Sequence, residues 1–164
     1  GIRTAMDEVN PDAWLVAENA DHAPSDLDGF GWHGSMNYVG FTRPIWGWLN
    51  KSAKFADNFL GLPVPIPSFT GAAMVEMMRS FSAGIPWRSL TASMLLLDSH
   101  DTARFRTVVG RDNARHIVGA TMLLTYPGVP SIFAGDDIGL EGEWGEDSRR
   151  TIDWEHTQKR VQDL

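Results

Sequence analysis

Three short apolar runs in this sequence each stop at a group of ionisable side chains, and chemistry is expected where they stop. Leu95-Leu96-Leu97 runs into Asp98, Ser99, His100 and Asp101, with Arg104 close behind. Ala13-Trp14-Leu15-Val16-Ala17 stops at Glu18-Asn19, and Ser131-Ile132-Phe133-Ala134 stops at Gly135-Asp136-Asp137. Ionisable groups beside a core need a partner or a use. Polar groups gathered at the carboxyl ends of buried strands mark the floor of an active site. Ser99-His100-Asp101 is not a nucleophilic relay, because consecutive residues cannot hydrogen-bond in that order. Asp98, His100, Asp101, Asp136 and Asp137 offer oxygens that a hard cation accepts, but no ligand-spacing motif supports a metal, and none is expected. No cofactor is expected either, since no Gly-x-Gly-x-x-Gly or phosphate-cradling loop follows a strand.

The elements that must position these groups alternate between strand and helix. Ile2 to Val9 has weak helical spacing and stops at Asn10-Pro11-Asp12, because the residue before a proline disfavours the helical region. Residues 13–17 read as a buried strand, 20–33 as a loop, and Gly34 to Val39 as a weaker strand. Pro44 to Ala56 is expected to be an amphipathic helix carrying Ile45, Trp48, Leu49 and Phe55. Leu62 to Pro67, proline at alternate positions, reads as an extended linker unable to form a ladder. A helix capped by Ser68 or Thr70 carries Met74, Met77, Met78 and Phe81, a stripe read as core. Leu95–Leu97 is the next strand, and Asp112 caps a helix through Leu124, which Tyr126-Pro127-Gly128 ends. Residues 131–134 form the last strand, 138–148 a glycine-rich acidic loop, and Trp154 to Leu164 a final helix. Strands linked by helical crossovers predict an α/β fold with parallel strands, polar groups gathered at their carboxyl ends.

The chain has 164 residues, 43% of them hydrophobic and 21% charged, which suits one domain, residues 1–164, with its own core. Its formal charge of −7 and lack of a lysine-rich run exclude the electrostatic footprint of a nucleic-acid or anionic-membrane partner. No apolar segment approaches the roughly 18 residues that a membrane span needs. With no cysteine there is no disulfide framework or thiolate metal site, and the compartment stays open.

The residues themselves resemble the α-amylase family, glycoside hydrolase family 13, and within it the neopullulanase, cyclomaltodextrinase and oligo-α-glucosidase group. The resemblance is carried in order by residues 13–18, Met36-Asn37-Tyr38, Ser99-His100-Asp101-Thr102-x-Arg104 and residues 126–140. It implies the C-terminal half of a (β/α)8 TIM barrel, strands 5 to 8 with their helices. It further implies a retaining hydrolase acting on α-1,4 or α-1,6 glucosidic bonds. By this resemblance Glu18 is the general acid/base, with Trp14 its expected apolar neighbour, and Asp101 is the transition-state stabiliser. His100 binds sugar hydroxyls, while Arg104, Asn37, Tyr38 and Asp137 lie near the substrate. Trp144 is the expected sugar-stacking ring, where Trp32, Trp46 and Trp48 read as packing. Residues 148–154 match an Arg-x-Pro-Met-x-Trp segment loosely, with Arg150, Asp153 and Trp154 retained and the proline absent.

One departure matters. The family's nucleophile is an aspartate at the end of the fourth strand, in Gly-x-Arg-x-Asp. Gly1-Ile2-Arg3-Thr4-Ala5-Met6-Asp7 matches those letters only superficially, for Asp7 falls late and no apolar strand precedes it. Residues 2–9 read instead as the helix leading into the fifth strand, so the first four strands and the nucleophile are expected to be missing. The partners implied are an α-glucan oligosaccharide and either a second copy of the chain or an N-terminal half-barrel, because a half-barrel leaves parallel edges unpaired. Two other functions fit the same residues: a maltooligosaccharide-binding module without catalysis, and a metal-assisted hydrolase on an open α/β sheet. Glu18 as a salt-bridged surface carboxylate, and His100 as a loop cap paired with Asp98, are the structural alternatives.

Overall fold

The computed structural model describes residues 1–21, 24–51, 56–59, 62–155 and 157. Helix α1 (Ile2–Val9) comes first and ends at the extended Asn10, as the following proline requires. Strand β1 (Val16–Ala17) pairs in parallel with β2 (Gly34–Ser35), and between them lies only a 3-10 turn, Pro24–Leu27. After β2 a π-helical stretch, Tyr38–Thr42, runs into α2 (Arg43–Leu49). An antiparallel hairpin of β3 (Ala56–Phe59) and β4 (Leu62–Pro65) follows, then α3 (Gly71–Ala83) and α4 (Trp87–Thr91). Strand β5 (Met94–Leu95) pairs in parallel with β6 (Val129–Pro130) across α5 (Phe105–Val108) and α6 (Asn113–Thr125). A parallel bridge between Met36 and Met94 joins the two pairs, so the spatial order is β1, β2, β5, β6. Helix α7 (Gly145–Ser148) closes the described fold.

Strands β1, β2, β5 and β6 are parallel as expected, but much shorter. The Leu95–Leu97 run leaves the ladder after Leu95 because helix side chains take its carbonyls. Thr42 Oγ1 donates to Leu96 O at 2.7 Å, and the indole N–H of Trp46 donates to Leu97 O at 2.6 Å. The partner strand sits at 129–130 rather than 131–134. Val129 N and Ser131 N donate to Ser93 O and Leu95 O, so Pro130 falls where a parallel ladder asks for no N–H.

Other expectations need correction. Residues 62–65 do join a ladder, as half of a two-stranded hairpin in which their prolines occupy an edge. Helix α2 ends at Leu49 instead of Ala56, with Asn50 turning extended and Ala56 already in β3. Phe55 and residues 158–164 of the expected last helix lie outside the described residues. In α3 the buried stripe is Met74, Met78 and Phe81, the spacing of one helical face, and Met77 points outward. Thr70 rather than Ser68 caps that helix, accepting from Ala73 N. The main core packs Phe41, Ile45, Trp46 and Leu49 against α3, the strands and α5, with Leu97, Phe105 and Leu123 closing it.

Candidate active site

Glu18 and the His100-Asp101 pair come together. Glu18 follows the last residue of β1, where Asn19 N turns back onto Ala17 O. Beyond the exit of β5, Ser99 to Thr102 form a tight turn. Ser99 N donates to Thr102 Oγ1 at 3.0 Å, and Asp101 N donates to Ser99 Oγ at 3.1 Å. That turn aims the side chains of His100 and Asp101 outward. One carboxylate oxygen of Glu18, one imidazole nitrogen of His100 and one carboxylate oxygen of Asp101 all lie within 4.8 Å of one another. His100 Nε2 stands 3.4 Å from Asp101 Oδ1.

A third segment supports the turn from the side. Gly145, first in α7, backs so closely on the turn that an added Cβ would lie 3.2 Å from His100 O. Ser148 Oγ donates to Thr102 O at 2.6 Å. Arg149, the next residue, donates from Nε to His100 O at 2.9 Å, and its Nη2 lies 3.4 Å from Asp101 Oδ1. Arg150 is the arginine retained in the loose match to the family's segment. Arg150 instead pairs with Asp147 at 2.6 Å, and Arg149 is the arginine at the site. Trp144 precedes α7 as its N-cap residue and is 44% exposed.

Tyr38 and Asn37 are both buried. The Tyr38 hydroxyl donates to Ser99 Oγ at 2.8 Å. Burial pushes its phenol up to about 12, and the charges of Asp101, Glu18 and Asp98 push the same way against the Ser99 hydrogen bond. It is a neutral donor that holds the turn. Asn37 accepts from Gly40 N at 2.8 Å and so caps the π-helical stretch. Arg104, 1% exposed, is deeper still. Its guanidinium donates to Ser148 O at 3.0 Å, Asp136 Oδ1 at 2.9 Å and Ala134 O at 2.9 Å, and lies 3.7 Å over the Phe133 ring. It joins β5's loop to the loop after β6 from inside the protein. Asp137 lines a different cavity, with Leu97, His116, Leu124 and Ile132. Trp14 is at the other end of β1, where its indole N–H donates to Ala92 O at 2.8 Å, so it forms no wall beside Glu18.

The trio is close enough to share a cation, but Arg149 already brings a positive charge to Asp101, and no metal is assigned here. Two carboxyl groups and an imidazole gathered at the surface can hold a neutral polyhydroxylated ligand and move a proton at it.

A family model described as "Alpha amylase, catalytic domain" matches residues 1–163. An amylopullulanase from Thermoanaerobacter thermohydrosulfuricus is 33% identical over 169 residues, covering 93% of this chain and 11% of that protein. A cyclomaltodextrinase from Thermoanaerobacter pseudethanolicus is 36% identical over 159 residues, covering 96% of this chain and 25% of that protein. The solved debranching enzyme from Nostoc punctiforme superposes with a TM-score of 0.83 at 30% identity, over 98% of this chain and 33% of that one. The chain thus spans 11% and 25% of the lengths of these two curated relatives.

Proposed function

We propose a function from one premise: this chain belongs to the α-amylase catalytic-domain family. Its fold is that of part of a (β/α)8 barrel. We infer that it supplies the C-terminal half of such a barrel, strands 5 to 8, and binds an α-glucan oligosaccharide at the carboxyl ends of β1 and β5. The observation that carries this reading is the convergence of Glu18, His100 and Asp101 within 4.8 Å.

In the proposed reaction Glu18 protonates the glycosidic oxygen as the bond breaks, and later takes a proton from the incoming water. Asp101, held by Arg149, faces the positive charge that develops on the sugar ring. His100 donates to a sugar hydroxyl, and Trp144 offers a ring face at the rim. Retention also needs a carboxylate nucleophile. Asp7 does not serve, for it lies in α1 with its carboxylate 3.7 Å from Arg3 Nε. The nucleophile therefore comes from a complementary half-barrel, and this chain alone binds the sugar without turning it over.

Calorimetric titration with maltohexaose, alongside an assay for released reducing sugar, tests both parts. Binding is expected for the chain, weakened about tenfold or more by Asp101→Asn, with negligible hydrolysis. No binding, or binding unchanged by the substitution, overturns the assigned site. Robust hydrolysis by pure chain overturns the need for an outside nucleophile.

A further inference from the structure

Where the β5 run ends, the buried carboxyl group of Asp98 faces that of Asp136, which is part-exposed and lines the cavity of Leu97, His116 and Ile132. Asp98 is 2% exposed. Its Oδ2 accepts the backbone N–H of Phe105 at 2.6 Å, and its buried Oδ1 meets no donor among the described residues. Asp136 lies within hydrogen-bonding reach of the same side chain, while its own Oδ1 accepts from Arg104 at 2.9 Å. Ionised carboxylates only accept hydrogen bonds, so two of them in contact are satisfied only when one carries a proton.

The surrounding charges leave little alternative. Arg104 is the cation at the pair, and its single charge balances a single carboxylate. His116, on α6 against the same cluster, is held below the ordinary imidazole range by burial and then by the charge of Arg106, so it is neutral. Tyr38, which senses Asp98 from the other side, is a neutral phenol, and Asp137 on the neighbouring turn adds no positive charge. Two adjacent negative charges here would repel strongly.

We propose that Asp98 keeps a proton at neutral pH and donates it from Oδ1 to the Asp136 carboxylate, clasping the start of the Ser99–Asp101 turn to the loop after β6. Burial is the main cause that lifts Asp98 above the ordinary carboxylate range, followed by Asp136, against Phe105 N–H and Arg104. When the proton leaves to solvent as pH rises, two negative charges face one guanidinium and the clasp opens. The folded state binds one proton more than the unfolded chain between the two Asp98 values. Its contribution is therefore complete below about pH 4 and is lost as pH climbs through the folded value, the reverse of a salt-bridged aspartate. This holds whether or not the chain binds sugar.

The test is infrared spectroscopy of the full chain with urea unfolding across pH. Asp98→Asn imitates the protonated acid, since its oxygen still accepts from Phe105 and its amide still donates to Asp136. A carboxylic-acid carbonyl band is expected in the unsubstituted chain at pH 7 and absent in Asp98→Asn. The folding constant of the unsubstituted chain should fall relative to that of Asp98→Asn by about tenfold per pH unit above about pH 4. No acid band at pH 7, or parallel stability profiles for the two proteins, overturns the proposal.

Discussion

Arg149 donates from Nε to the backbone carbonyl of His100 at 2.9 Å, while its Nη2 reaches to 3.4 Å from the neighbouring carboxylate, Asp101 Oδ1. One side chain from the segment after α7 thus holds the backbone and the acid of the turn that carries the site.

Arg149→Ala should accordingly loosen the site more than the fold. The ion pair is partly exposed, 44% on the arginine side and 25% on the aspartate side, and water screens it, so the loss of stability should stay below about 1 kcal/mol. Affinity for maltohexaose should drop about fivefold or more as the turn gains freedom. Urea unfolding and calorimetric titration of the same preparation check this, and an unchanged affinity would show that Arg149 does not hold the turn.

Trp46 is a core residue with one polar obligation. Trp46→Phe leaves the buried carbonyl of Leu97 without its 2.6 Å donor. An unsatisfied buried acceptor costs about 1–3 kcal/mol. Urea unfolding should show a loss in that range, and a loss within error of zero would mean water reaches the end of the β5 run.

The chain's two tyrosines should resist ionisation while it is folded. Tyr38 is pushed up to about 12, chiefly by burial, and Tyr126 is raised by the same cause against a Ser82 hydrogen bond. Folded values above the unfolded ones mean that this stability is full below about pH 10 and is lost as pH rises past it. Ultraviolet titration should therefore show little tyrosinate near pH 10 in the folded chain and a normal transition near pH 10 in urea. A normal transition in the folded chain would place Tyr38 in solvent.

Glu18, His100 and Asp101 were legible from the sequence because apolar runs ending in charge mark strand exits, and strand exits in parallel α/β proteins share a rim. Residues 2–9 were legible as a helix, because a stretch of helical spacing stops at Asn10-Pro11-Asp12. The roles of Arg104 and Tyr38 were not legible. Both stand in matching motifs, yet one joins two loops from the inside and the other holds Ser99. A motif shows that a residue type is present near the site, while burial decides whether that residue faces the ligand or the core. Arg149 gave little signal, because two adjacent arginines differ only in which way the chain turns after Ser148.

What the sequence determined by itself was the list of groups and the order in which strands would present them, because periodicity and strand ends are local properties of the chain. The tertiary structure alone decided which strand carbonyls pair with strands and which with Thr42 and Trp46. It alone brought the buried Asp98 within reach of Asp136, 38 positions apart in sequence. Hydrogen bonds and charge contacts across such separations depend on how helices pack on the sheet, and no local pattern encodes that distance.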